Sequence, residues 1–115
     1  MLKFIKGFGY AFSGIGYAFK TQLNFKFHIA ALLVTAIAGW YFTLSINEWL
    51  WIIAAAAIVL ITELLNTAIE VLVDLVSPNF NPKAKIIKDV AAAGVLIAAI
   101  GAAIIGLIIF IPKIF

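Results

Sequence analysis

Glu63-Leu64-Leu65-Asn66-Thr67-Ala68-Ile69-Glu70-Val71-Leu72-Val73-Asp74 carries three carboxylates on a stretch that is otherwise mostly apolar. At about 100° per residue, spacings of seven and four put Glu63, Glu70 and Asp74 within an arc of roughly 40° on a helix, with Asn66 and Thr67 flanking it. Each carboxylate would cost roughly 2.5 to 3.5 kcal/mol at a bilayer midplane, so the stripe must meet water, protein donors or cations. Asp89 follows soon after, which leaves Glu48 as the one acidic residue outside this part of the chain.

The rest of the sequence sets the solvent. Of 115 residues, 66% are hydrophobic and 11% charged, a balance far from that of a soluble domain and typical of an integral membrane protein. The length accommodates about three spanning helices of roughly 20 residues and no separate soluble domain. Three helices cannot enclose a polar site on every side, so self-association is expected. The absence of Cys excludes thiolate metal sites and disulfide frameworks. The net charge of +3 comes from eight Lys, which cluster beside apolar segments as suits anionic lipid headgroups, with no nucleic-acid signature. Lys3, Lys6 and Lys20 interrupt any signal-peptide core, so the N-terminal segment is expected to be retained.

Residues 1–20 contain a near-repeat, Gly7-Phe8-Gly9-Tyr10-Ala11-Phe12 and then Gly14-Ile15-Gly16-Tyr17-Ala18-Phe19. Phe4, Phe8, Phe12, Ile15 and Phe19 form one apolar face opposite Lys6, Ser13 and Lys20, the pattern of an amphipathic surface helix. Three spanning helices follow, over 27–44, 48–76 and 85–111. Trp40, Trp49 and Trp51 serve as interface anchors, and Ser45 or Asn47 is placed to cap the second helix, with Glu48 in its first turn. Ser77-Pro78-Asn79-Phe80-Asn81-Pro82 stops that helix, and Pro112 with Lys113 closes the third. Small-residue patches, Ala91 to Gly94 and Gly101 to Ala103, allow close helix approach.

Lys3, Lys6, Lys20 and Lys26 precede the first span, and Lys83, Lys85 and Lys88 lie between the second and third, while the first hairpin has no Lys. The N-terminus and the loop between the second and third spans are therefore expected to face the cytoplasm. The acidic stripe would open on the side where ATP is found.

Within the stripe, oxygen donors one and two turns apart can divide proton acceptance from binding of a hard cation such as Mg²⁺. Glu63 lies about 16 Å deeper along the axis than Asp74, a depth that suits a general base acting on a lipid-borne hydroxyl. Glu70 and Asp74 suit metal-nucleotide and charge-pairing roles. Lys88 can serve as a point charge on phosphate with Asp89 positioning it, or it can merely enforce topology. Gly9 and Gly14 have the separation of a phosphate loop, but Ile15-Gly16 stands where Lys-Ser/Thr is needed. His28, with no ligand partner at helical spacing, reads as an interfacial residue. A cation- or proton-translocating subunit is the rival reading, because intramembrane carboxylates also mark ion paths; a structural anchor leaves the stripe unmotivated.

ELLNTAIEVLVD, the Pro/Asn loop and AKIIKDVAAAGVL together resemble the small prokaryotic diacylglycerol kinase and undecaprenol kinase family of integral membrane lipid kinases, over nearly the whole chain. The resemblance implies a homotrimer of three-span protomers with an N-terminal surface helix, in the bacterial inner membrane, moving the γ-phosphate of MgATP to a lipid hydroxyl at the cytoplasmic face. It also implies Glu63 as general base, Glu70 as a metal ligand, Asn66 and Asp74 as active-site partners, and Lys88 with Asp89 as a nucleotide-binding pair. Tyr10 and Lys3 correspond to surface-helix contacts with the nucleotide, and Asn79 to Asn81 match the nucleotide-facing loop by position. Gln22 stands where the family has a second metal-binding Glu; its amide oxygen can coordinate but brings no charge. Asn24-Phe25-Lys26-Phe27-His28 and Glu48-Trp49 look more like the undecaprenol kinase branch.

Overall fold

The computed structural model describes residues 1–115 as four helices: α1 (Leu2–Thr21), α2 (Leu23–Tyr41), α3 (Ile46–Val76) and α4 (Pro82–Ile114). The last three are each long and apolar enough to cross a membrane. At about 1.5 Å per residue, α3 and α4 run well past the roughly 30 Å of a hydrocarbon core, so their ends must reach the headgroups. Only 13 of the 115 residues are buried; the apolar side chains that cover the outside belong to a molecule solvated by lipid rather than water.

The inner seam of α3 is Ile52, Ala55, Val59, Glu63, Asn66, Glu70 and Val73, all buried except the half-buried Glu70. Its three- and four-residue steps are those of a helix packed along one line. The seam is apolar up to Val59 and polar from Glu63, so the acidic stripe continues the core rather than forming a separate face. α4 runs antiparallel and presents Lys88, Ala91, Val95, Ala98, Ala102, Ile105, Ile109 and Lys113 at the same steps, each buried or half-buried. Small residues dominate its middle, where backbones can approach closely. Both ends are closed by ion pairs to α3: Lys88 Nζ to Asp74 Oδ1 at 2.5 Å and Lys113 Nζ to Glu48 Oε2 at 3.1 Å. The helix continues through Pro112 rather than stopping there. Pro112 has no N–H to donate to Ile108 O, which costs the helix one bond near its end, but Phe115 N still donates to Ile111 O at 3.0 Å.

α3 begins with a capping box. Ser45 Oγ accepts from Glu48 N at 3.1 Å and Glu48 Oε1 accepts from Ser45 N at 2.9 Å, which satisfies two otherwise orphaned donors. α2 ends in a Schellman arrangement: Leu44 N donates to Gly39 O at 3.1 Å and Thr43 N to Trp40 O at 3.3 Å. Thr43 takes the left-handed position, φ 52°, at a cost of roughly 1 to 2 kcal/mol for a residue with a Cβ. The reward is a tight hairpin in which Leu44 turns inward beside Ile52 and Ile109.

Trp49 lies across the α2 backbone at Gly39. A Cβ there would stand 2.6 Å from Trp49 Cη2 and 2.9 Å from Leu44 Cδ1. Gly39→Ala is therefore expected to destabilise the protein by about 1 to 3 kcal/mol through overpacking. At Gly14 an added Cβ meets nothing within 4 Å, and Gly14→Ala should be neutral or stabilising. Thermal unfolding in detergent, followed by Trp fluorescence, checks both.

α1 joins α2 through a single extended residue, Gln22 (φ −111°, ψ 109°). Its Ala18 is fully buried, while Phe4, Phe8 and Phe12 are exposed. A helix held to the bundle only near its C-terminal end, with its aromatics outward, fits placement along a membrane surface.

Candidate active site

The polar half of the α3 seam forms the site. Glu63 is 2% exposed, and within one protomer its neighbour is on α2, where His28 Nε2 lies 3.2 Å from Glu63 Oε1. No hydrogen bond of good geometry joins the two, and Oε1 has no other partner. Thr67 Oγ1 donates to Glu63 O at 2.9 Å, which satisfies that hydroxyl and removes it from competition for the carboxylate. One turn on, Asn66 Nδ2 donates to Glu70 Oε1 at 3.2 Å. Asn66 Oδ1 is buried and unpaired.

Two cavities lie at different depths along this seam, one before Glu63 and one beyond Glu70. One, of about 320 Å³, lies among α2, α3 and α4 and is lined chiefly by apolar side chains, among them Leu32, Ala55, Val59, Ala102 and Phe110. His28 is its one titratable lining residue, and Thr35, its other polar side chain, is bonded to Ala31 O. The second, of about 250 Å³, sits where α3 passes into α4 and is lined by Asp74, Ser77, Asn79, Asn81, Lys85 and Lys88. Asn81 Oδ1 caps α4 by accepting from Lys83 N at 2.8 Å. The pocket brings two Lys and the N-terminus of a 33-residue helix together with Asp74, so an anion can be held there if it displaces a carboxylate from its Lys.

The partners at this end are not those the sequence suggests. Lys88 pairs with Asp74 rather than with its neighbour Asp89, and Asp89 pairs with Lys85 at 2.6 Å, one turn back. Successive residues on a helix point about 100° apart, whereas the four-residue spacing brings side chains together. His28 has a contact that spacing along its own helix does not show. It lacks a partner on its own helix but has one across the α2–α3 interface. Tyr10, 72% exposed, and Lys3 have no hydrogen bond or ion pair to the seam within a protomer, and Gln22 is half-buried at the α1–α2 junction.

Every donor in the seam other than His28 is an oxygen or an amide, and a buried carbonyl oxygen, Asn66 Oδ1, stands unpaired beside Glu70. That donor set suits a hard divalent cation that keeps water or phosphate oxygens in its shell. Three converging His, Cys, Asp or Glu side chains, as a closed structural metal site requires, are not present within the protomer.

The fold and site define an integral membrane protein of three spanning helices, whose core seam turns from apolar to acidic and leads to a polar pocket at the start of α4 lined by Asp74, Lys85 and Lys88. Residues 9–110 match the family model described as prokaryotic diacylglycerol kinase; the chain belongs to that family and is a lipid kinase. It is 44% identical over 111 residues to an undecaprenol kinase of Bacillus subtilis (strain 168), covering 96% of this chain and 90% of the relative. It is 41% identical over 106 residues to a diacylglycerol kinase of Synechocystis sp., covering 91% and 61%, and 35% identical over 103 residues to the diacylglycerol kinase of Escherichia coli (strain K12), covering 89% and 84%. Membership decides between the two sequence readings in favour of the kinase over the ion-translocating subunit, and a kinase implies a nucleotide co-substrate.

Proposed function

We propose that the protein transfers the γ-phosphate of MgATP to the primary hydroxyl of a membrane lipid, at the cytoplasmic face of the bacterial inner membrane and as a homotrimer. The observation that carries the reading is the position of Glu63: buried where the seam changes character, between an apolar cavity lined on α3 as far as Val59 and Leu60 and a polar, lysine-bearing pocket that begins at Val73. The hydrocarbon chain of an acceptor suits the first cavity and the phosphates of a nucleotide suit the second. The acceptor hydroxyl would then lie between them, within reach of the carboxylate.

In the reaction, Glu63 accepts the proton of the lipid hydroxyl as its oxygen attacks the γ-phosphorus, and the bond from that phosphorus to the β-bridging oxygen breaks to release ADP. Lys88, Lys85 and the α4 N-terminus steer and neutralise phosphate, Asp74 and Asp89 hold those Lys in place, and Lys3 and Tyr10 on α1 reach nucleotide bound along the surface. Glu70, the Asn66 side-chain carbonyl and Gln22 would hold Mg²⁺, which when bound supplies neutralisation of the phosphate charge. With Gln22 neutral, the site brings one negative charge fewer to the cation. Catalysis in this scheme rests on positioning and charge complementarity rather than on a covalent enzyme intermediate.

The 44% identity to an undecaprenol kinase and the Asn24–His28 segment favour a polyprenol acceptor over diacylglycerol. Purified protein supplied with labelled ATP and Mg²⁺ should label undecaprenol in mixed micelles faster than diacylglycerol. Equal rates, or a preference for diacylglycerol, would reverse the choice of acceptor, and no labelled lipid from either would refute the function.

A further inference from the structure

Glu63 has a neighbour that the mechanism above does not use. His28 projects from α2 with its Nε2 3.2 Å from Glu63 Oε1, has a side chain 18% exposed, and makes an edge-on contact with Phe27, ring centroids 5.7 Å apart. It also lines the apolar cavity, where no other titratable side chain is present. One imidazole therefore touches both the carboxylate and the space suited to the acceptor's chain. We propose that His28 is a positioning residue for the phosphoryl transfer: it holds the Glu63 carboxylate in the rotamer that faces the acceptor hydroxyl.

The local chemistry supports this role. A carboxylate on a long, flexible side chain needs an external contact to keep one orientation in a buried setting, and the contacts within α3 do not supply it. Thr67 is committed to the Glu63 backbone carbonyl and Asn66 to Glu70. Lys88 and Lys85 are committed to Asp74 and Asp89. His28 is thus the donor left for Glu63 within the protomer. Its Nε2 stands 3.2 Å from Oε1, near enough that a small adjustment of either side chain completes a hydrogen bond. Because the contact crosses from α2 to α3, it also ties the base to the helix that forms the far wall of the cavity.

This inference rests on Glu63 being the base, and the test separates the two. Full-length protein is purified with His28→Ala, His28→Phe and His28→Gln, each alone and combined with Glu63→Gln, and kcat and KM are measured for lipid and for ATP. His28→Ala is expected to lower kcat by about 10- to 100-fold with the KM for ATP unchanged. His28→Phe fills the same volume without a donor and should fall with it, whereas His28→Gln, which keeps an N–H near the same place, should recover most of the rate. In the Glu63→Gln background the His28 substitutions should change the remaining rate by less than about twofold, as coupled residues do. A His28→Phe protein as active as the unsubstituted one, or losses that multiply in the double variants, would overturn the proposal. Full activity of Glu63→Gln by itself would instead remove the base assignment. Should the alanine variant unfold, the comparison of Phe with Gln still decides.

Discussion

Glu63→Gln is expected to reduce phosphate transfer to lipid by about 10²- to 10⁴-fold, the range that a positioned general base contributes, while leaving the protein folded. The two parts of this expectation come from the same geometry. Glu63 is 2% exposed and its only close partner across an interface is an imidazole without hydrogen-bond alignment. A buried carboxylate so weakly compensated does not stabilise a fold, because removing it from water costs more than one imperfect contact returns. Gln has the same length, fills the same space and removes the charge. The melting temperature of the variant should therefore equal or exceed that of the unsubstituted protein. A group retained at a cost to stability is retained for what it does to the substrate. Labelled-phosphate transfer and thermal unfolding, measured on one preparation, check both halves. Loss of activity together with loss of the folded protein would reassign Glu63 to structure, and full activity would remove it from the mechanism.

The positions where sequence and structure part follow from the same physics. The three spans, the surface helix and the presence of a cap before α3 were legible because each rests on local pattern: apolar runs, helical spacing, and Ser45 or Asn47 near Glu48, of which the structure uses Ser45. The acidic stripe was legible as a helical face. That it continues a core seam was not, because the seam is defined by where α4 packs, and the alternation of Ala, Val and Ile along α4 does not reveal which line faces α3. The contact between His28 and Glu63 spans two helices and has no signal in spacing along either. For Lys85, Lys88 and Asp89 a local rule was available, since the four-residue spacing of Lys85 and Asp89 predicts their pairing better than adjacency predicts Lys88 with Asp89. Thr43 gave no warning of its left-handed backbone, because the hairpin's need for a short turn overrides the preference for Gly there.

Exchanging the charges of Lys88 and Asp74 is expected to separate a structural ion pair from a phosphate-binding lysine. In the structure the two are joined at 2.5 Å, with side chains 40% and 66% exposed. An ion pair so open to solvent contributes no more than about 1 kcal/mol to stability, so Lys88→Met should fold nearly as well as the unsubstituted protein. If Lys88 serves as a point charge on the nucleotide, its loss should lower transfer by about 10²-fold, as does loss of a single charge-stabilising donor in other active sites, and should raise the KM for ATP. The double variant Lys88→Asp with Asp74→Lys restores the pair between α3 and α4. A purely structural pair would then recover its function. A phosphate site would not, because the carboxylate at position 88 now lines the pocket into which Lys85 and the helix N-terminus draw the anion, and like charge opposes it. The exchange variant is accordingly expected to match the stability of the unsubstituted protein and to be no more active than Lys88→Met. Recovery of full transfer by the exchange would move the phosphates away from Lys88, toward Lys85 and the Asn79–Asn81 segment.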